Sequence, residues 1–180
     1  MQRSFELFDQ FYTIVSKVCA WTLFVMTILG ALNAVLRYSS KFTGQVWSSN
    51  AFLEGQWYLF SAVFLLGAGY TLYKDKHVRV DVMYSRLSKS GQRRINLIGT
   101  LIFAIPFCIL GIWSSLEFVS NSWSIWEQSP DAGGLPRYPV KTLIPVGFLL
   151  LLLQCVVWLC TLVFELWSGD VELDNGGRHD

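Results

Sequence analysis

Four uncharged apolar runs take up roughly half of this chain, and each is long enough to cross a bilayer. They are Val18–Leu36, Gly55–Tyr73, Ile95–Leu116 and Thr142–Phe164. At about 1.5 Å of rise per residue each spans roughly 28–35 Å as a helix, against a hydrocarbon core of about 30 Å. Charges stand at the ends: Lys17 and Arg37, Glu54 and Lys74, Arg94 and Glu117, Lys141 and Glu165. A soluble domain of 180 residues has room for one such run as a core helix, but four leave too little polar surface. Backbone polar groups must be satisfied internally in lipid, and these runs do not alternate as barrel strands do. The fold class is therefore an all-α membrane protein with four transmembrane helices.

Topology follows from the basic residues. The connection between the second and third runs carries seven: Lys74, Lys76, Arg79, Arg86, Lys89, Arg93 and Arg94. Each of the other two connections carries two. The positive-inside rule puts the middle connection in the cytoplasm, and four spans then place both termini there. This divides the chain into a cytoplasmic tail (1–17), a transmembrane domain (18–167) and a polar tail (168–180). The first run has Glu6 and Asp9 before it and no small-residue cleavage site after it, so it is expected to stay as an anchor rather than act as a signal peptide. Phe5, Leu7, Phe8, Phe11 and Tyr12 give the N-terminal tail the pattern of an interfacial helix. In the middle connection Val80, Met83, Tyr84 and Leu87 recur at helical spacing beside Arg79 and Arg86, which predicts a short amphipathic arm on anionic lipid. His77 and Asp81 precede it as an interfacial cluster. Pro106 predicts a bend in the third span.

The remaining candidates are few. Glu54 opens the second span beside Trp57 and Tyr58. A carboxylate at that depth is costly unless paired, and Arg37, at the end of the first span, is the expected partner, with a basic residue of another subunit as the alternative. Asn33 and Gln154 are the strongly polar groups inside the spans, suited to hydrogen bonds within the bundle or to a partner helix. Gly67 and Gly69 permit close helix approach. The second outer connection holds Trp126, Glu127, Asp131, Arg137 and Tyr138 around Gly133-Gly134 and three prolines, so it is not a helix through its centre. With Trp47 these face outward as candidates for docking a soluble partner.

Several functions are excluded. The net charge of +1 gives no reason to expect nucleic acid. With only His77 and His179, haem ligation between helices is out of reach, and metal binding is not expected. All four cysteines lie inside spans, so a membrane thiol oxidant lacks the outer-loop pairs it needs. No Asp, Glu, Lys, Arg or His lies mid-membrane, which argues against a transporter working alone or a small dimeric exporter. A stand-alone assembly factor is the other alternative.

The run Phe52-Leu53-Glu54-Gly55-Gln56-Trp57-Tyr58, the glycines at 67 and 69, and Lys76-His77-Val78-Arg79-Val80-Asp81 resemble the small membrane subunit of tripartite ATP-independent periplasmic (TRAP) transporters, the DctQ-type family. Ser129–Pro136 and Ile144–Gly147 are similar to the branch often labelled for mannitol, chloroaromatic or 2-oxo acid substrates, a label that does not fix a substrate. The resemblance covers roughly residues 10–165. It implies a scaffold role beside a large polytopic subunit that moves as an elevator and carries the substrate and sodium sites. A periplasmic binding protein would deliver an organic acid. It further implies a bacterial inner-membrane location, no enzymatic activity and no cofactor in this chain.

Overall fold

The computed structural model describes residues 2–44, 47, 49–74, 84 and 86–176. Among them all regular structure is helical. The helices are α1 (Gln2–Thr43), α2 (Asn50–Tyr73), α3 (Lys89–Gly99), α4 (Ile105–Ser124) and α5 (Tyr138–Gly176), with a π-helical turn at Thr100–Ala104 joining α3 to α4. Four segments are long and apolar enough to span a membrane: Gln10–Thr43, Asn50–Tyr73, Lys89–Ser124 and Tyr138–Phe164.

The helices run beyond the expected apolar spans at most ends, and two of these extensions change the reading. The N-terminal tail is not a separate interfacial helix, because α1 runs unbroken for 42 residues. Within it the Tyr12 ring is 3% exposed and stacks on Tyr73 of α2 at 4.8 Å, so this part of the helix packs on its neighbour. The third span continues well past Leu116 to Ser124, which draws Glu117 into the body of the helix. Just before Pro106, where the sequence predicts a bend, the helix carries a π turn in which the Ile105 amide donates to Thr100 O, five residues back. A wide turn just ahead of Pro106 accommodates a residue that cannot donate to the helix ladder. Pro145 lies inside α5 without ending it.

The predicted cytoplasmic arm falls mostly outside the described residues; His77, Arg79, Asp81 and Met83 are among those not described. Its last residues fold back onto α3. Tyr84 Oη accepts from Asn96 Nδ2 at 2.8 Å, and the Tyr84 and Leu87 carbonyls accept from Gln92 Nε2. Ser88 caps α3 by accepting from the Gly91 amide.

The spans are arranged as an open row rather than a closed bundle. α1 packs on α2, α2 on α5, and α5 on α4, with no extended contact between α1 and α4. α1 and α2 run antiparallel: Gly30 meets Gln56 near one end, and Tyr12 meets Gly69 near the other. α2 and α5 run parallel, with Leu65 against Gly147 and Gly69 against the Leu150 carbonyl. The accessible surface is 12915 Å², where a compact globular chain of this mass exposes about 8,900 Å². Among the described residues the buried apolar side chains are few, namely Tyr12, Cys108, Cys155 and Leu162. Large apolar residues such as Trp21, Phe64, Phe103 and Trp113 point outward, as they should where the solvent is hydrocarbon.

Gly147 sets the spacing of the central seam. A Cβ there would stand 2.7 Å from Leu65 Cβ and 3.1 Å from the Leu65 carbonyl oxygen. Gly67, by contrast, has nothing within 4 Å. Gly147→Ala should therefore destabilise the purified chain by roughly 1–3 kcal/mol through overpacking, whereas Gly67→Ala leaves it unchanged or slightly firmer; thermal unfolding in detergent compares the two.

Candidate functional site: the platform between α4 and α5

The connection from α4 to α5 is a folded unit built on the first turns of α2. It begins with the way α4 ends. The Glu127 amide donates to Ser122 O at 3.0 Å and the Trp126 amide to Trp123 O at 3.3 Å. This is the paired bonding of a Schellman cap, and Trp126 occupies its left-handed position with φ 49°. Glycine usually takes that position, and a residue with a side chain there costs roughly 1–2 kcal/mol. Ring packing holds it: Trp126 lies 6.0 Å from Trp123 and 5.2 Å from Tyr138, and Trp123 lies 4.6 Å from Tyr138, all edge to face. Trp123 Nε1 also donates to Thr142 Oγ1 at 2.8 Å, tying the end of α4 to the start of α5.

The chain then turns back over α2. Ser129 Oγ accepts from the Asp131 amide, and the Gly134 amide donates to Asp131 O at 3.0 Å across a turn whose Gly133 has φ +70°. The underside of this turn is held by Glu54, whose side chain is 2% exposed. One carboxylate oxygen accepts from Ser129 Oγ and the other from the Leu135 amide. A Cβ at Gly134 would fall onto Ser129 Oγ and Glu54 Oε2, so the close approach requires glycine. Tyr58 Oη donates to Leu135 O at 3.2 Å and Asn50 Nδ2 to Ala132 O at 3.0 Å. Ser49, the N-cap of α2, bonds Gly133 O through its hydroxyl.

This geometry replaces the pairing of Glu54 with Arg37. The carboxylate takes its bonds from the outer loop, and Arg37 lies exposed on α1. Glu127, read from sequence as an outward docking group, is turned inward. It accepts from Ser122 Oγ and forms an ion pair with Lys141 at the head of α5. Lys141 in turn sits 3.9 Å over the Phe118 ring. Arg137 is half-buried, where its charge acts on both Glu54 and Glu127. Its amide donates to Glu127 O at 2.9 Å.

Other candidates are scattered. Trp57, Trp47 and Trp126 are 60%, 55% and 60% exposed, and Asp131 is exposed at the loop tip. Gly69 is a contact point, with a notional Cβ 3.3 Å from Tyr12 Oη, whereas Gly67 is open. Asn33 and Gln154 are buried, and neither Asn33 Oδ1 nor Gln154 Oε1 has a hydrogen-bond partner. Among the described residues no group of acidic, cysteine or histidine side chains has a metal-binding arrangement. Sequence reasoning did not single out Ser122, Ser129, Lys141 or the Leu135 amide. Only a buried carboxylate opening α2 and a glycine-rich turn with the right reach hinted at them.

A family model described as the DctQ component of tripartite ATP-independent periplasmic transporters matches residues 26–165. The chain belongs to the DctQ family. The match takes in every residue of the platform, from Ser49 to Thr142. A comparison with curated proteins finds no match. As a DctQ component the chain is the small membrane subunit of a TRAP transporter and not an enzyme. Membership implies association with a large membrane subunit and a binding protein.

Two predictions follow from the platform. Glu54→Gln keeps an oxygen for Ser129 but removes the acceptor for the Leu135 amide, so hydrogen exchange at Leu135 should accelerate about tenfold or more while the four spans stay protected. The Lys141 ammonium and then the Ser122 hydroxyl hold the Glu127 carboxyl below its ordinary value of 4.5. A depressed carboxylate contributes stability that is complete above the ordinary value and fades as pH falls through the lowered one. Emission from the Trp123–Trp126 pair should be flat from pH 7 to about 5 and change below that range, and Glu127→Gln should abolish the acid transition.

Proposed function

We propose that this DctQ chain is the fixed wall of a sodium-coupled elevator that takes up an organic acid delivered by a periplasmic binding protein. The observation that carries the reading is the open row. Four helices one layer deep, tied at one face by a hydrogen-bonded platform, make a broad flat body in the membrane. A moving neighbour needs a wall that resists tilt, and width along the bilayer supplies that resistance. The middle of each span carries no Asp, Glu, Lys, Arg or His, so ion coupling belongs to the large subunit. Sodium and the organic acid enter this reading through the family alone. This reading includes an inner-membrane location with cytoplasmic termini, an orientation supported by the seven basic residues of the middle connection. The platform then lies on the periplasmic side, where exposed Trp47, Trp126 and Asp131, with half-buried Arg137 and Tyr138, form the surface nearest an arriving binding protein. His77, Arg79, Asp81, Met83, Tyr84 and Leu87 would lie against the cytoplasmic leaflet.

A tagged chain extracted from native membranes in mild detergent should bring down one large polytopic protein in near-equimolar amount. Recovery of the chain alone, or only as a homodimer, would overturn the scaffold reading and favour a stand-alone protein.

A further inference from the structure

Lys17 stands directly before the first apolar run, which begins at Val18 and continues to Leu36. A residue at the end of such a run lies at the headgroup level of a membrane. The Lys17 side chain is exposed, and among the described residues no acid pairs with it. Other lysines at span ends are differently placed: Lys141 is held by Glu127, and Lys41 and Lys74 lie over the rings of Tyr38 and Tyr73. One turn after Lys17 comes Trp21, 68% exposed, whose ring meets Phe24 edge to face. Its indole N–H has no acceptor among the described residues. Four residues apart, the ammonium and the indole share one face of α1, about 6 Å apart along its axis.

A groove of about 370 Å³ runs beside these two donors. It follows α1 from Ile14 to Val25 and is closed on one side by Leu59 of α2. Val18, Trp21 and Val25 give it apolar walls. Thr22 adds no free donor, because its hydroxyl is bonded to the Val18 carbonyl at 2.8 Å. From Lys17 to Val25 the groove descends eight residues, about 12 Å, into the span. Half the hydrocarbon thickness is about 15 Å, so the groove is roughly one leaflet deep. A packed helix would press on α1 along the whole span, whereas an acyl chain ends at the midplane. A trough of that depth with a free cation at its polar end has the form of a phospholipid. The cation favours a headgroup of net negative charge, since a zwitterionic one brings an ammonium of its own.

We propose that this groove binds one anionic phospholipid, its phosphate on Lys17 and the Trp21 indole N–H and one acyl chain against Val18, Val25 and Leu59. The site needs only that this end of α1 lie at a headgroup level, on either side of the membrane. α1 packs extensively on α2 alone, so a chain lodged between Val25 and Leu59 adds a second tie at that end of the row.

The test places the full-length chain in nanodiscs of phosphatidylcholine containing a minority of phosphatidylglycerol with a photoreactive acyl chain. Label should concentrate on Val18–Val25 and on Leu59, and unlabelled phosphatidylglycerol should displace it where added phosphatidylcholine does not. Lys17→Gln should lower this labelling about fivefold, and Lys17→Arg should preserve it. Leu135 amide protection should stay at the wild-type level in both variants, which excludes misfolding. Equal labelling at Phe64 and Trp113, exposed on other helices, would reveal ordinary boundary lipid and overturn the proposal. Indifference to Lys17→Gln, or displacement by phosphatidylcholine, would do the same. In native membranes a photo-crosslinking residue in place of Val18 should capture phospholipid; capture of another membrane protein there would give the groove to a partner helix instead. None of these outcomes bears on the scaffold reading, which the pull-down decides separately.

Discussion

The carboxylate of Glu54 decides what the outer half of this protein looks like. It is nearly inaccessible, and its two oxygens are bonded by a hydroxyl and an amide 75 and 81 residues further along the chain. A buried charge persists only where donors are already in place, and each donor here is fixed by its own turn. Ser129 starts the turn over Asp131, and Gly133 and Gly134 allow the backbone to pass close enough for Leu135 to present its N–H. Tyr58, one turn further along α2, receives the same strand of loop at Leu135 O. The outer connection is thus as much a part of the packed structure as the helices are.

Below the platform the protein depends on proximity rather than polarity. Lipid tails are as apolar as leucine, so helices associate only where backbones fit closely. The parallel pair α2 and α5 does so at Gly147 and Gly69. The outer members of the row attach to this pair from either side. The result is a body with two broad apolar faces and two long edges, and that shape, more than any single side chain, separates it from a self-contained four-helix bundle.

The spans were legible in the sequence because hydrocarbon thickness is a strict ruler, and helices of about 20 apolar residues have no other common use. That Glu54 needs partners was legible too, since a carboxylate opening a span is costly alone. Its partners were not, because nothing local to Glu54 points to residues 129 and 135, and Arg37 offered a simpler pairing by hairpin arithmetic. Glu127 was misread for the same reason: its role comes from Lys141 across a loop whose path depends on Trp126 accepting a left-handed backbone. Helix ends were the other source of error. A run of apolar residues marks the hydrocarbon, whereas the helix continues as long as its backbone finds partners, so α1 absorbed the tail and α4 carried Glu117 inside.

The central seam has a consequence for how the chain is made. α1 with α2, and the third span with α5, are two hairpins, each contiguous in sequence and each able to satisfy its own backbone on entering the bilayer. Among the described residues they meet where α2 lies beside α5 and where the α4–α5 loop closes on the start of α2, at Glu54 above all. The seam is therefore the junction of two hairpins that are each contiguous in sequence. Its glycines fix the register of that junction, and the α4–α5 loop closes over one end of it.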